Sequence, residues 1–276
     1  MGLRIQTNIA SVNAQRNLRQ NSGGAERSME RLGSGFRINK SMDDVAGLAI
    51  SETMKGQLRG LGQAERNAQD GISFVQVAES GLNETSNLLN RVRELATQAA
   101  SDTIGDTERG FVNIEVQQLV TEMDRIATTT EYSGSRLLDG SGQTLDFHVG
   151  FRGDPSKNVI SYDAGAANAQ TSALGVDGVS VASKDDARGT LDVIDQAISK
   201  VAAMRAGFGA IQSRMSSTIS NISVYREALS AANSRIRDAD MAEESANLAK
   251  ANILQQAGTA VLAQANSANA LALKLL

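Results

Sequence analysis

The fifty residues ISETMKGQLRGLGQAERNAQDGISFVQVAESGLNETSNLLNRVRELATQA, numbered 50–99, decide the fold. Steps of four and three residues trace one stripe through them: Ile50, Met54, Gln57, Leu61, Ala64, Ala68, Gly71, Val75, Ala78, Leu82, Thr85, Leu89, Val92, Ala96 and Ala99. Twelve of these 15 positions are apolar. The bulk composition would place about six there. A four-three repeat held for about seven heptads predicts a coiled-coil seam rather than an ordinary amphipathic helix. At about 1.5 Å per residue the helix would reach roughly 75 Å, so the expected molecule is elongated.

Outward from this stretch, a second stripe runs from Leu191 through Ile194, Ile198, Val201, Phe208, Met215, Ile219, Ile222 and Leu229 to Ile236. Its polar exceptions, among them Arg205 and Arg226, are expected to set register. A shorter stripe, Val112, Val116, Leu119, Met123 and Ile126, marks a third helix. Between the first and third lies Ser101–Gly105, with Asp102 or Thr103 as the expected cap. Helices of matching period predict one bundle. From Tyr132 to Ala187 the helical period disappears and Gly, Ser, Asp and Asn rise. Leu145, Phe147 and Val149 alternate with polar residues as a strand does, Gly153-Asp154-Pro155 reads as a turn, and Val159–Tyr162 as the returning strand. The predicted fold is therefore mainly α: an elongated antiparallel helical bundle or coiled coil with a small β-hairpin region at about 137–183.

The two ends differ from the middle. Ile5, Ile9 and Val12 form an early apolar patch, and Leu18, Ala25, Met29 and Leu32 keep the four-three spacing until Gly33 and Gly35 stop the helix. Residues 38–46 read as a connector with Asp43 or Asp44 near the next helix start. From Met241 the apolar residues surround the helix: Leu254, Val261, Ala265, Leu275 on one face, Ile253, Ala260, Leu271 on another, with Leu276 last. A helix apolar on most sides needs burial on most sides, and other copies of the chain are the natural source.

Composition narrows the function. The chain has 276 residues, no Cys, one His and one Pro. Without Cys there is no disulfide scaffold, thiol catalysis or Cys-zinc site, and one His disfavours a His-metal site or a Ser-His-Asp triad. The formal charge of −4 argues against a nucleic-acid or anionic-membrane surface. No apolar run approaches the roughly 18 residues of a membrane span, and Met1–Val12 lacks the continuous core of a cleavable secretory signal. His148 alternates with apolar strand residues and is expected to face away from them. Asn83-Glu-Thr85 and Asn221-Ile-Ser223 match a glycosylation pattern but fall within predicted helices, so they are read as chance. No cofactor is expected.

The motifs then add a resemblance. Leu32-Gly-Ser-Gly-Phe-Arg-Ile-Asn39, Asp43-Asp44-Val-Ala-Gly-Leu-Ala-Ile50, Gln63-Ala-Glu-Arg-Asn-Ala-Gln-Asp-Gly-Ile72 and Arg91-Val-Arg-Glu-Leu-Ala96 resemble the N-terminal signature of bacterial flagellins. Ser234-Arg-Ile-Arg-Asp-Ala-Asp240 and Ile253-Leu-Gln-Gln-Ala-Gly-Thr-Ala-Val-Leu-Ala-Gln-Ala-Asn266 resemble the C-terminal one. The chain looks like a flagellin reduced to its core, without variable outer domains. The resemblance implies a non-enzymatic structural subunit of a hollow helical filament for swimming. It places 1–40 with 241–276 in an inner tube, whose polymerisation residues would be Ile5, Ile9, Val12, Leu18, Ile253, Leu254, Val261, Leu271, Leu275 and Leu276. It places 41–240 in an outer tube.

The implied partners are further copies, a flagellar export chaperone and type III export apparatus, hook-associated and cap proteins, and host innate receptors. An extracellular receptor would recognise Arg91, Leu95 and Glu115. Cytosolic receptors would read the tail leucines Leu271, Leu273, Leu275 and Leu276. The location implied is the extracellular filament, reached without a cleaved signal peptide. Two departures from the family stand out: Gly33 replaces the usual serine, and the last ten residues lack proline. The near alternative is a hook-filament junction protein. A chemoreceptor-type signalling coiled coil would need a membrane span, and the inserted zinc protease of some relatives needs two histidines.

Overall fold

The computed structural model describes residues 7–141 and 144–274, with side chains described to Ser267. The order is α1 (Ile9–Ser34), α2 (Val45–Ala99), α3 (Asp106–Thr129), the paired short strands β1 (Glu131–Tyr132) and β2 (Ser135–Arg136), β3 (Thr144–His148), α4 (Pro155–Asn158), β4 (Val159–Asp163), a 3-10 turn at Ala164–Ala166, α5 (Thr171–Leu174), α6 (Lys184–Arg237) and α7 (Met241–Lys274). The chain is mainly helical, with antiparallel long helices and small two-stranded sheets. It divides into two compact units, Met1–Leu58 with Glu227–Leu276, and Arg59–Arg226.

The larger unit holds the core. Every stripe position of α2 from Leu61 to Ala99 is buried, including Gly71 and Thr85. Their small side chains let neighbouring elements approach closely. A Cβ on Gly71 would lie 2.7 Å from Cε of Met215 and 3.0 Å from Cδ1 of Phe147, so glycine is what admits both α6 and the hairpin. The α6 stripe supplies Ile194, Val201, Phe208 and Met215, and α3 supplies Val116 and Met123. The polar exceptions on α6 reach across to α2: Arg226 pairs with Glu65, and Arg205 lies 3.8 Å from Glu79.

The β3–β4 hairpin pairs Leu145 with Tyr162 and Phe147 with Ile160 in antiparallel register. The ring of Phe74 on α2 meets Tyr132, Phe147 and Tyr162 at centroid distances of 5.9, 5.6 and 6.2 Å, all edge to face. Asp146 and His148 face outward, as their alternation implied. Between the hairpin and α6 the chain looks irregular, yet Ala169, Leu174, Val176 and Val181 are buried in the same core. Ser133 and Gly134, both at positive φ, make the tight turn of the β1–β2 pair.

Local signals close the helices. Asp44 Oδ1 accepts the Gly47 N–H at 2.8 Å and starts α2. Gly35, at φ 73°, ends α1 in the left-handed conformation. The α2–α3 turn departs from the expected capping. Gly105 precedes α3 without a side-chain cap, and Asp102 instead pairs with Lys184 at 2.5 Å. The turn is held by Arg109, whose buried guanidinium donates to the carbonyls of Ala99 and Ser101 at 2.8 and 3.0 Å. An arginine three residues into a helix gives no capping signal in sequence, but it satisfies carbonyls at the preceding helix end.

Leu82 is fully buried in this seam. Leu82→Ala should destabilise the chain by about 2–5 kcal/mol, read from urea denaturation. A loss under about 1 kcal/mol would mean the seam does not carry the core.

Candidate assembly surface

The smaller unit is built from α1, α7 and the adjoining ends of α2 and α6. Asn8 begins α1: its Oδ1 accepts the Ser11 N–H at 3.1 Å, and its Nδ2 donates to the Ala265 carbonyl at 2.9 Å, tying α1 to α7. Asp240 begins α7 by accepting the Ala242 and Glu243 N–H groups. The connectors between α1 and α2 and between α6 and α7 are laced together. The Arg37 N–H donates to the Arg237 carbonyl at 2.7 Å, and that of Ala239 to the Gly35 carbonyl at 2.9 Å. The Arg237 guanidinium lies 4.7 Å above the Phe36 ring and pairs with Glu52 at 2.6 Å.

Where α1 faces α7, its covered positions are Ser11, Ala14, Leu18, Asn21, Ala25 and Ser28. Those of α7 are Glu244, Leu248, Ala251, Gln255, Gly258 and Leu262. Leu18 sits over Gly258, where a Cβ would come within 3.0 Å of its Cδ1. At one end Glu244 is buried with 7% exposure. It accepts hydrogen bonds from the Ser28 hydroxyl at 2.9 Å and from Arg31 Nη1 at 2.7 Å. Burial pushes this carboxyl up, but the bonds from Arg31 and Ser28, with the Arg31 charge, outweigh it and hold the group below its ordinary value of 4.5.

The apolar accounting of the two units is opposite. Of 37 buried apolar side chains among the described residues, only Ala14, Ala25 and Ile38 belong to the smaller unit. Of 16 exposed large apolar side chains, eleven belong to it. They include Ile9 and Val12 at 58% exposure, Ile253 at 66%, Val261 at 59% and Leu254 at 42%. Leu18 is half-buried in the seam. Ile5, Leu275 and Leu276 lie outside the described residues, and Leu271 and Leu273 lie where only the backbone is described. Met42 and Val45, also exposed, were not singled out in the sequence because they sit in a connector and at a helix start, off any stripe.

In the larger unit, Arg91 and Glu115 lie side by side. Arg91 Nη2 donates to Glu115 Oε1 at 2.9 Å and Nη1 to Glu94 at 3.1 Å, with Arg91 and Glu115 both exposed. Leu95 does not share that surface. It is 2% exposed and part of the core. Four residues advance a helix by about 40° beyond one turn, and here that step turns Leu95 into the core. Beside this pair, α3 exposes Phe111 and Ile114 at 67% and 61%, two apolar residues off its buried stripe that sequence reasoning passed over. Among the described residues no group of three or more His, Asp or Glu is arranged to hold a metal, and no helix is long and apolar enough to cross a membrane.

Residues 5–143 match the bacterial flagellin N-terminal helical region, and residues 191–276 the bacterial flagellin C-terminal helical region. The chain is 41% identical to a flagellin of Halalkalibacterium halodurans over 272 residues, covering 99% of each. It is 42% identical to the flagellar filament 33 kDa core protein of Treponema phagedenis over 288 residues, again 99% of each. A crystal structure of Bacillus cereus flagellin is similar at 28% identity, with a TM-score of 0.51, over 57% of this chain and 88% of that one.

The Glu244 bonds make the α1–α7 pair acid-sensitive. Because the folded group is held below its unfolded value, its contribution is complete above about pH 4.5 and is lost as the pH falls through the lowered value. Amide exchange in α1 and α7, corrected for intrinsic rates, should accelerate through that acid window. Glu244→Gln should flatten the dependence, and an unchanged profile in that variant would assign it elsewhere.

Proposed function

The chain belongs to the bacterial flagellin family, and from that premise we infer that it is the structural subunit of a flagellar filament outside the cell. It works by helical self-assembly for swimming motility and not by catalysis. The observation that carries this reading is the reversed burial of the smaller unit, which among the described residues covers three apolar side chains and exposes eleven large ones. A unit so built is completed only by further protein. Among the described residues, the seven exposed large apolar side chains of the terminal helices are Ile9, Val12, Met29, Met241, Ile253, Leu254 and Val261. Full burial of such a side chain contributes about 1.5–3 kcal/mol. About half of each is already covered, so the seven supply on the order of 5–10 kcal/mol, comparable with the about 8 kcal/mol of a micromolar contact. A heterologous interface repeated by rotation and rise gives a filament rather than a closed ring.

In this reading α1 with α7 forms the inner layer, from 1–40 and 241–276, and residues 41–240 the outer layer. Ile5, Leu271, Leu275 and Leu276 extend the inner contact. Export proceeds through a type III apparatus with a chaperone, and hook-associated and cap proteins bound the filament. The exposed Arg91–Glu115 pair supports recognition by host innate receptors, with Leu95 acting from beneath as packing.

Electron microscopy after seeding purified protein with filament fragments tests the reading. Wild-type chain should extend the seeds into long tubes. A persistent monomer would instead favour the hook-filament junction protein. Val12→Asp with Val261→Asp should abolish extension at micromolar concentration while the urea midpoint of the larger unit stays unchanged, because both side chains are exposed in the single chain. Normal extension by that variant would defeat the terminal-helix assignment.

A further inference from the structure

The α1–α7 seam repeats in steps of three and four on both helices. Sliding one helix along the other by seven residues therefore brings every seam position opposite another seam position. Most of these side chains are small or polar, so general apolar fit discriminates poorly between registers. A slip of seven residues would nevertheless move Val261 about 10 Å along α1 and break up the exposed apolar surface.

Few contacts distinguish the observed register. Leu18 fits over Gly258, whereas one heptad away in either direction it would meet Ala251 or Ala265. The Glu244 carboxylate is the stronger discriminator. It is buried, and in the observed register Ser28 and Arg31 donate to its two oxygens at 2.9 and 2.7 Å. Arg27 lines the same cleft from α1, and Asn247 from α7. A slip of one heptad would carry the carboxylate away from both donors: in one direction Asn21 and Gly24 would take the places of Ser28 and Arg31, and in the other it would lie beyond the end of α1. A buried carboxylate that loses its charged partner is costly, whereas a displaced alanine or serine is not.

We propose that Glu244 is a positioning residue that sets the register of α1 against α7, with Ser28 and Arg31 on α1 as its keys. That this register aligns the apolar residues for polymerisation rests on the filament reading above. The pairing acts as a specificity device, in which a polar contact is retained inside a seam for the one alignment that satisfies it.

The chain has no cysteine, so disulfide trapping reads the register directly. Leu18→Cys with Gly258→Cys reports the observed alignment. Leu18→Cys with Ala251→Cys or with Ala265→Cys reports the two slipped ones. Under mild oxidation, in the free chain and in sedimented filaments, the first pair should form about tenfold more bond than either other pair. In a Glu244→Leu background the preference should shrink to about twofold or less. Glu244→Arg should abolish it, and adding Arg31→Glu should restore it. An undiminished preference in Glu244→Leu, or no rescue by the charge exchange, overturns the proposal. The exchange remains readable where the leucine variant fails to pair. Wild-type protein that shows the preference but never extends seeds would overturn the filament reading alone.

Discussion

The burial of a narrow, small-residue seam on α2 is the constraint on which the rest of the larger unit depends. From Leu61 to Ala99 the positions facing inward include five alanines, one glycine and one threonine, and all are covered. Small residues allow close approach, and close approach is what lets α6, α3 and the hairpin all reach one helix. Gly71 shows the limit of this design, since a single methyl there would collide with Met215 and Phe147 together. Large side chains then arrive from the other partners, Phe208 and Met215 from α6 and Met123 from α3, so that volume is complementary across the seam.

The terminal helices follow a different rule. Their shared face is also small, with Leu18, Leu248 and Leu262 as its larger apolar side chains, and most of their other large apolar side chains stay in solvent. The polar contacts therefore gain weight. Asn8 bonds to α7 at one end and Glu244 to α1 at the other, with Leu18 over Gly258 between them. In a seam with a large apolar core these would be minor contributions. Here they are among the few interactions that tell one alignment from another.

Much of this was legible in the sequence, because long helices announce themselves through period. The α2 and α6 stripes, the hairpin strands, the helix stop at Gly35 and the apolar ends could be read from spacing and residue type alone. Four features could not. The segment from Ala164 to Val181 has no period because its residues are buried by tertiary fit and not by a regular face. Arg109 caps the end of a helix to which it does not belong, a relation invisible along the chain. Leu95 shares a helix side with Arg91, but side chains four apart are offset by about 40°, and at the margin of a stripe that offset separates core from surface. The partners of Glu244 lie 213 and 216 residues away, so no local pattern flags that carboxylate among the many exposed ones.

The distance between those partners has a consequence in time. The first helix of the chain pairs with the last, and the apolar surface shared by the two requires both. A growing chain carries α1 without α7, so it holds one half of a surface and none of the register contacts. Closing that long loop is entropically the most demanding contact the fold makes. The α1–α7 surface thus completes last, set by the order of the chain itself.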